Sequence, residues 1–258
     1  MGHGPIDSAG GSSWQRLLAE RIAALGAGDE AILATDALTA GLLLDAYPMG
    51  AFAMPHGRQT YLWLSPAERA VLTPGTVRVP RSLRRSLRRF TVTIDTVFDE
   101  VLARCAHGRP LGWIDSSYEA AYRELFASGH AHSVEVWTET ADDAGQWRVA
   151  PPSGARLAGG LLCVGVGSLV AGESMFHAER DASKVAEVRT MEMLESRPGG
   201  ASPAGLLDAQ WLTPHLRSLG FTGIPRAEYL SMAAAAADGP DAITAWKDHL
   251  ASGLPEGR

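Results

Sequence analysis

Residues 157–177 read LAGGLLCVGVGSLVAGESMFH, and this stretch says most about the fold. Most of it is apolar or glycine, and glycine inside an apolar strand is typical of places where other backbone approaches closely. We therefore predict buried strands here, followed by the acid Glu173. A carboxylate partly removed from water gains proton affinity or takes a cationic partner, and both are common at reaction centres. A glutamate in a salt bridge at the sheet edge is the structural alternative.

The flanking sequence mixes strand and helix patterns. Helical spacing or caps are found at residues 14–25, 39–47, 81–90, 96–106, 116–129 and 183–196, and strand patterns at 61–64, 70–72, 90–94, 133–137 and 206–208. The predicted helix caps are Thr39, either Asp95 or Thr96, and either Ser116 or Ser117. This order predicts an α+β fold and not a strictly alternating parallel one. It divides into a flexible leader, 1–13, a small N-terminal domain, 14–80, and a main domain, 81–258.

Charge is distributed unevenly along the chain. The 258 residues carry a formal net charge of −6, with 46% hydrophobic and 20% charged residues, which excludes a disordered or fibrous protein. Residues 78–90 hold six arginines and no acid, so the remaining residues together carry −12. A helix beginning after Pro80 would place four of these arginines on one face. That face is either a solvated surface or a site for a phosphate backbone.

Other segments narrow the possible chemistry. Asp208 and Gln210 follow an apolar strand, and at strand spacing they would point the same way, where a carboxylate and an amide can hold an amine. A nucleophilic serine at Ser174 is disfavoured because Phe176 stands where the serine-hydrolase turn needs glycine. No third ligand accompanies the nearby histidines of residues 130–132, so we expect no metal.

The two cysteines, Cys105 and Cys163, lack Cys-x-x-Cys spacing, as expected for reduced thiols. No apolar run reaches the roughly 20 residues that span a bilayer. The N-terminal residues 1–13 have no apolar core of the kind found in signal peptides. We therefore expect a soluble cytoplasmic protein with no membrane association.

Several segments, in order, resemble the leucyl/phenylalanyl-tRNA–protein transferase family. The run Gly-Glu-Ser-Met-Phe at residues 172–176 is the most specific of them. The others are residues 42–47, 50–52, 62–66, 69–72, 78–90, 92–95, 113–114, 129–137, 182–184, 207–210 and 224–226. The matches span roughly residues 42 to 230.

The resemblance implies a GNAT (acetyltransferase-like) fold with a small N-terminal domain. It also implies transfer of leucine or phenylalanine from aminoacyl-tRNA to an N-terminal Arg or Lys of a protein, which marks that protein for degradation as an N-degron. Because the aminoacyl ester is already activated, no cofactor is implied. Catalysis is assigned to Asp208, Gln210 and Glu173. Substrate binding is assigned to Trp113, Ser174, Met175, Phe176, Leu207 and Met54. Binding of tRNA is assigned to Arg78, Arg81, Arg84, Arg85, Arg88 and Arg89.

The chain departs from the family pattern after Phe52, where Ala53-Met54 replaces the usual Pro-Trp. Methionine supplies only part of the stacking that tryptophan gives to a base. Three alternatives therefore stay open: aminoacyl transfer to a small molecule or dedicated peptide, a non-catalytic tRNA-binding module, and an acyl-CoA acetyltransferase. The last is the weakest because the sequence has no pyrophosphate-binding glycine loop.

Overall fold

The computed structural model describes residues 11–57, 59–107, 112–138, 145–195 and 205–253. The helices are α1 Gly11–Ala23, α2 Ala40–Ala46, α3 Arg81–Arg89, α4 Phe98–His107, α5 Ser116–Ala127, α6 Ala182–Glu195, α7 Pro214–Ser218, α8 Arg226–Ala237 and α9 Ala242–Ala251. The strands are β1 Ala31–Thr35, β2 Phe52–Pro55, β3 Tyr61–Leu64, β4 Glu68–Leu72, β5 Thr91–Ile94, β6 Ala131–Trp137, β7 Leu157–Val166, β8 Leu169–His177, β9 Leu206–Asp208 and β10 Thr222–Pro225.

The strands form two sheets. The larger has seven strands in the order β10-β4-β9-β8-β7-β6-β5, and the smaller has the order β1-β3-β2. In the larger sheet β8 and β9 run parallel, whereas the other neighbours are antiparallel. This mixed sheet flanked by helices confirms the predicted α+β, acetyltransferase-like class. Strands β1, β2 and β10 were not predicted from the sequence.

Helices cover both faces of the large sheet, which is why its central strands are apolar on both sides. Along β7, Leu162 and Val164 join a core with α1, α2, α4, α5 and α8. The alternate residues Leu161 and Cys163 join a second core with α3, α6 and α9. This two-residue alternation follows from the pleat of a strand. The glycine-rich stretch is therefore the centre of the sheet.

Two irregularities in β8 and β9 create the site. Leu162 pairs with Ser174 and Cys163 with Gly172, so Glu173 is the extra residue of a β-bulge. A bulge re-aims a side chain that regular alternation would send elsewhere. The parallel pairing of β8 with β9 ends at Ala171 and Asp208, while β8 continues to His177. An opening therefore separates the second half of β8 from the chain that follows β9.

Helix caps partly follow the predictions. The Thr39 side chain accepts a hydrogen bond from the amide of Leu42, which confirms it as the N-cap of α2. The prediction for α5 is wrong: Asp115 is the cap, and its carboxylate accepts from the amides of Ser117 and Tyr118. A carboxylate one residue earlier reaches the free amides of the first turn and satisfies two of them.

The predicted domain boundary at residue 80 stays a prediction; β4, which precedes it, belongs to the seven-stranded sheet. Most of the predicted leader, residues 1–10, lies outside the described residues, as do residues 139–144 and 196–204. Within the described ranges, no helix has both the length and the apolar character that crossing a bilayer requires.

Candidate active site

A buried ion pair lies at the end of β9. Asp208 is fully buried, and the Nε and Nη2 atoms of Arg69 in β4 donate to its two carboxylate oxygens at 2.7 and 2.6 Å. The hydroxyl of Tyr229 and the backbone amide of Gln210 donate to the same carboxylate, each at 2.9 Å. With four donors on its two oxygens, Asp208 is held in place and well paired.

Arg69 is enclosed by more than its carboxylate partner. Its Nη1 atom donates to the carbonyl oxygen of Gly50 at 3.1 Å, and its guanidinium lies 4.7 Å from the ring centroid of Phe52 and 4.5 Å from that of Tyr229. Burial opposes the charged guanidinium, yet Asp208 raises the pKa of Arg69 above its ordinary value. Gly50 has a φ of 76°, and a Cβ there would lie 2.3 Å from Leu230, so glycine is needed.

Glu173 is half-buried and only partly paired. Its Oε2 atom accepts from the hydroxyl of Tyr122 at 2.8 Å, whereas Oε1 is out of contact with solvent and has no partner among the described residues. The buried hydroxyl of Tyr47 lies nearby without a well-formed hydrogen bond. Burial raises the pKa of Glu173 to about 7, the tyrosine hydroxyls oppose this rise, and Asp208 adds to it. The carboxyl can therefore gain or lose a proton near neutral pH.

Gln210 does not lie on a strand, so the prediction that strand spacing aligns it with Asp208 is wrong. Strand β9 ends at Asp208, and Gln210 adopts a φ of 56°, in the left-handed region that few residues other than glycine occupy. The carbonyl of Gln210 accepts from the amide of Ala70, and its buried Nε2 has no partner among the described residues. A strained backbone that presents an unpaired amide is typical of a binding position.

Glu173, Asp208 and Gln210 line a cavity of about 110 Å³ in the opening between β8 and β9. The cavity brings together most of the residues to which the resemblance assigns catalysis or substrate binding. They are Glu173, Ser174, Met175, Leu207, Asp208 and Gln210. Its walls are mostly apolar with a few polar groups among them, as in many small-molecule sites.

Three of the predicted substrate-binding residues do not line this cavity. The Cζ atom of Arg104 lies 5.3 Å from the ring centroid of Phe176. Phe176 packs against the core on the opposite side of the sheet. Trp113 packs edge-on against Tyr118 at 4.8 Å, and Met54 is a half-buried residue of β2. Phe176 is displaced because the side chains of β8 alternate between the two faces, and Met54 because β2 belongs to the smaller sheet. Trp113 lies on no strand but in the segment that precedes α5.

Several residues of the site were not assigned roles from the sequence. Arg69, Tyr47, Tyr122 and Tyr229 come from four different elements, and no local pattern indicates that they converge. For Trp211, the one indication in the sequence of a place in the site is its position next to Gln210. Its ring is exposed, packs edge-on against Phe52 at 4.7 Å, and donates to the carboxylate of Glu30 at 3.3 Å.

The arginine segment forms the predicted helix, α3. Leu83 and Leu87 are buried beneath it, while its arginines are exposed. Arg89 is paired with Glu179. Within the described parts of the chain, Arg81, Arg85 and Arg88 have no acidic partner. Helix α3 packs on α6, where Arg189 donates to the carbonyl of Leu87 at 3.2 Å, so the basic helix and the cavity share one face of the sheet.

Residues able to hold a metal ion are scarce around the site. In the ranges that the structure describes, no group of three or more His, Cys, Asp or Glu side chains is arranged to bind one. Glu173 and Asp208 line the same cavity, but Asp208 already takes Arg69 as its cation.

Comparison with known proteins agrees with this geometry. A family model described as "Leucyl/phenylalanyl-tRNA protein transferase" matches residues 71–234. A relative of that name from Thiobacillus denitrificans is 42% identical over 192 residues, which cover 72% of this chain and 75% of the relative. Relatives of the same name from Rhizorhabdus wittichii and Shewanella baltica are 40% and 38% identical, over 76% and 74% of this chain and 74% of each relative. The chain therefore belongs to the leucyl/phenylalanyl-tRNA–protein transferase family.

Proposed function

We propose that this chain is an aminoacyltransferase that moves leucine, phenylalanine or methionine from aminoacyl-tRNA to the α-amine of a protein. The observation that carries the proposal is the cavity itself. A carboxyl with a pKa of about 7, Glu173, and an unpaired amide, Gln210, border an apolar space of about 110 Å³. The names of the relatives describe the same transfer.

The reaction is an aminolysis of the aminoacyl ester. The α-amine nitrogen attacks the ester carbonyl carbon, a C–N bond forms, and the C–O bond to the terminal ribose breaks. The amine loses a proton to Glu173, and the departing ribose oxygen takes one from the resulting carboxylic acid. Positioning the amine against an activated ester can contribute about 7–11 kcal/mol, so the chain needs little further chemistry.

The burial of the two carboxylates supports different roles for them. Asp208 is fully buried with four donors, so we assign it to positioning: it fixes the backbone amide of Gln210 and, through Arg69, the loop at Gly50. Glu173 keeps one oxygen unpaired, so we assign it to proton transfer. The Nε2 of Gln210 is free to donate to the ester carbonyl oxygen as negative charge develops there.

For the acceptor we propose an N-terminal Arg or Lys, with the modified protein then turned over as an N-degron. The negative charge of the chain outside residues 78–90 and the carboxyl of Glu173 favour a cationic acceptor. We also propose a cytoplasmic location, supported by the tRNA substrate and by Cys105 and Cys163, which are buried and not joined in a disulfide.

A direct assay tests the proposal. The protein is incubated with labelled Leu-tRNA and a mixture of peptides that begin with Arg, Lys or Ala, plus free amino acids and polyamines as small acceptors. We expect label on the Arg and Lys peptides alone. Label on a small molecule would instead support the alternative of transfer to a small-molecule acceptor, which the replacement of tryptophan by Met54 left open. Retention of tRNA binding with no transfer to any acceptor would indicate a binding module.

Neutralising the exposed face of α3 should weaken tRNA binding. For Arg84→Ala and Arg85→Ala, we expect the slope of log Kd against log salt concentration to fall by about 1 for each phosphate that is no longer neutralised. Arg104→Ala is the control because Arg104 is exposed but pairs with Glu100 on α4. An unchanged slope in both α3 variants would place the tRNA elsewhere on the surface.

We propose that the exposed ring of Trp211, next to Gln210, stacks on the terminal adenosine of tRNA. We expect Trp211→Ala to weaken binding of intact tRNA about tenfold, since a base stacked on an aromatic ring contributes about 1–3 kcal/mol. Binding of tRNA that lacks its terminal adenosine should not change. Val149→Ala, at another exposed large apolar residue, is the control. Equal losses with both tRNAs would mean that Trp211 contacts another part of the molecule.

A further inference from the structure

One wall of the cavity carries a carboxyl that the transfer reaction does not use. Glu187 of α6 lines the cavity together with the apolar side chains of Leu161, Met175, Leu216 and Phe221. It is only 3% exposed, on a helix whose other buried residues are mostly apolar and include no other charged group. A carboxyl in such surroundings is costly unless it has a binding or bonding role.

In the described part of the chain, Glu187 has a hydrogen-bond partner for only one of its two carboxyl oxygens. The Nε2 atom of His215 in α7 lies 3.3 Å from the Oε2 atom of Glu187, and among the described residues this is its one hydrogen bond. The side chain of His215 is 38% exposed, so it links the buried carboxyl to solvent. Burial raises the pKa of Glu187, while His215 and Lys184 oppose that rise. One carboxyl oxygen therefore remains for another donor.

The location of Glu187 separates it from the reacting atoms. Glu173 and Gln210 lie on β8 and just after β9, whereas Glu187 approaches from the helix that covers this face of the sheet. An aminoacyl ester held near Glu173 would extend its side chain along the apolar residues toward α6. Glu187 would then meet the far end of that side chain and not the ester.

We infer that Glu187, held by His215, is a specificity-determining residue that recognises a hydrogen-bond donor at the end of the aminoacyl side chain. The inference rests on the proposed function and extends its substrate class. Beside Leu, Phe and Met, the cavity takes aminoacyl groups that end in O–H or N–H, such as tyrosine and glutamine. Because His215 keeps the carboxyl paired when no such donor is bound, apolar substrates are still accepted.

Pairs of substrates that differ in one group test this inference. A single tRNA body is charged with either Phe or Tyr, and the ratio of the two kcat/KM values is measured for the unaltered protein and for Glu187→Leu. We expect the variant to lower the Tyr-to-Phe ratio about tenfold or more, as for loss of a hydrogen bond to a charged group. Glu187→Gln keeps an acceptor oxygen, so its Tyr-to-Phe ratio should lie closer to that of the unaltered protein than the ratio of Glu187→Leu does.

A matched control and a binding measurement make the result decisive. Glu192→Leu changes a glutamate of the same helix that pairs with Arg189 and does not line the cavity, so its ratio should stay unaltered. The Kd values of 3′-amide analogues of Phe- and Tyr-adenosine give the same comparison without transfer. An unchanged Tyr-to-Phe ratio in Glu187→Leu, with Phe still accepted, would overturn the inference. If the unaltered protein shows no transfer but still distinguishes the Tyr analogue from the Phe analogue by Kd, the result would instead count against the proposed function.

Discussion

Replacing Glu173 by glutamine should reduce kcat for aminoacyl transfer about 10²- to 10⁴-fold, the range for loss of a positioned general base. The amide keeps the size of the side chain and can still accept from the Tyr122 hydroxyl, 2.8 Å away in the unaltered protein. It cannot take the proton of the attacking amine. Binding of aminoacyl-tRNA should change little, because the group acts on the reacting atoms and not on the tRNA body.

The pH profile supplies a second readout for Glu173. A base must be ionised, and burial raises the pKa of this carboxyl to about 7, so activity should fall as the pH drops below that value. The acceptor α-amine adds its own ionisation at about 7.7–8.0. In Glu173→Gln the lower ionisation should disappear from the profile of kcat/KM, while the upper one remains.

Glu135→Gln is the matched control for this experiment. Glu135 is a buried carboxyl in β6 that accepts from Thr93 at 2.5 Å and from Thr96 at 3.0 Å, and it does not line the cavity. Its variant should keep the lower ionisation and most of the activity. Nearly full activity in Glu173→Gln, with an unaltered pH profile, would remove Glu173 from the mechanism and make Asp208 the remaining candidate for the base.

Replacing Arg69 by methionine should lower the free energy of unfolding by about 3–5 kcal/mol, because it leaves the buried carboxylate of Asp208 without its cation. Both side chains are only 1% exposed, so water cannot take the place of the missing partner. The variant also lacks the hydrogen bond to the Gly50 carbonyl. Thermal or denaturant unfolding measures the destabilisation, and we expect a fall in Tm of about 10 °C.

A second replacement shows that the isolated charge is the cause. In the double variant Arg69→Met with Asp208→Leu, much of the stability should return, since apolar residues often replace a buried ion pair at little cost. Transfer activity should not return. Arg123→Met removes an exposed arginine that pairs with Asp99 at 2.8 Å, and it should cost no more than about 1 kcal/mol. Equal instability of the single and double variants would contradict this explanation.

Local patterns predicted much of the secondary structure. The arginine helix follows from Pro80 and the spacing of Leu83 and Leu87, and Thr39 caps α2 as expected. Strands β5 to β9 follow from their apolar residues. Strands β1, β2 and β10 were missed because they are short edge strands, whose sequence patterns are weak.

The sequence by itself determined the α+β class and the basic helix, because these depend on the periodicity of neighbouring residues. The two acidic segments were assigned to the site by the family resemblance. The sequence also predicted that Glu173 and Asp208 each follow an apolar strand. Their different surroundings depend on residues far apart in the chain. Asp208 is paired with Arg69, 139 positions away, and Glu173 accepts a hydrogen bond from Tyr122, 51 positions away.

Only the tertiary structure decided what each acid can do. A bulge at Glu173, the left-handed turn at Gln210 and the approach of Glu187 from α6 all arise from how the strands separate and how the helices pack. Alternation along a strand would give Glu173 and Asp208 similar environments. Burial and partner number instead leave one carboxyl paired and fixed and the other free to exchange a proton, because desolvation and hydrogen bonding are set by three-dimensional contacts.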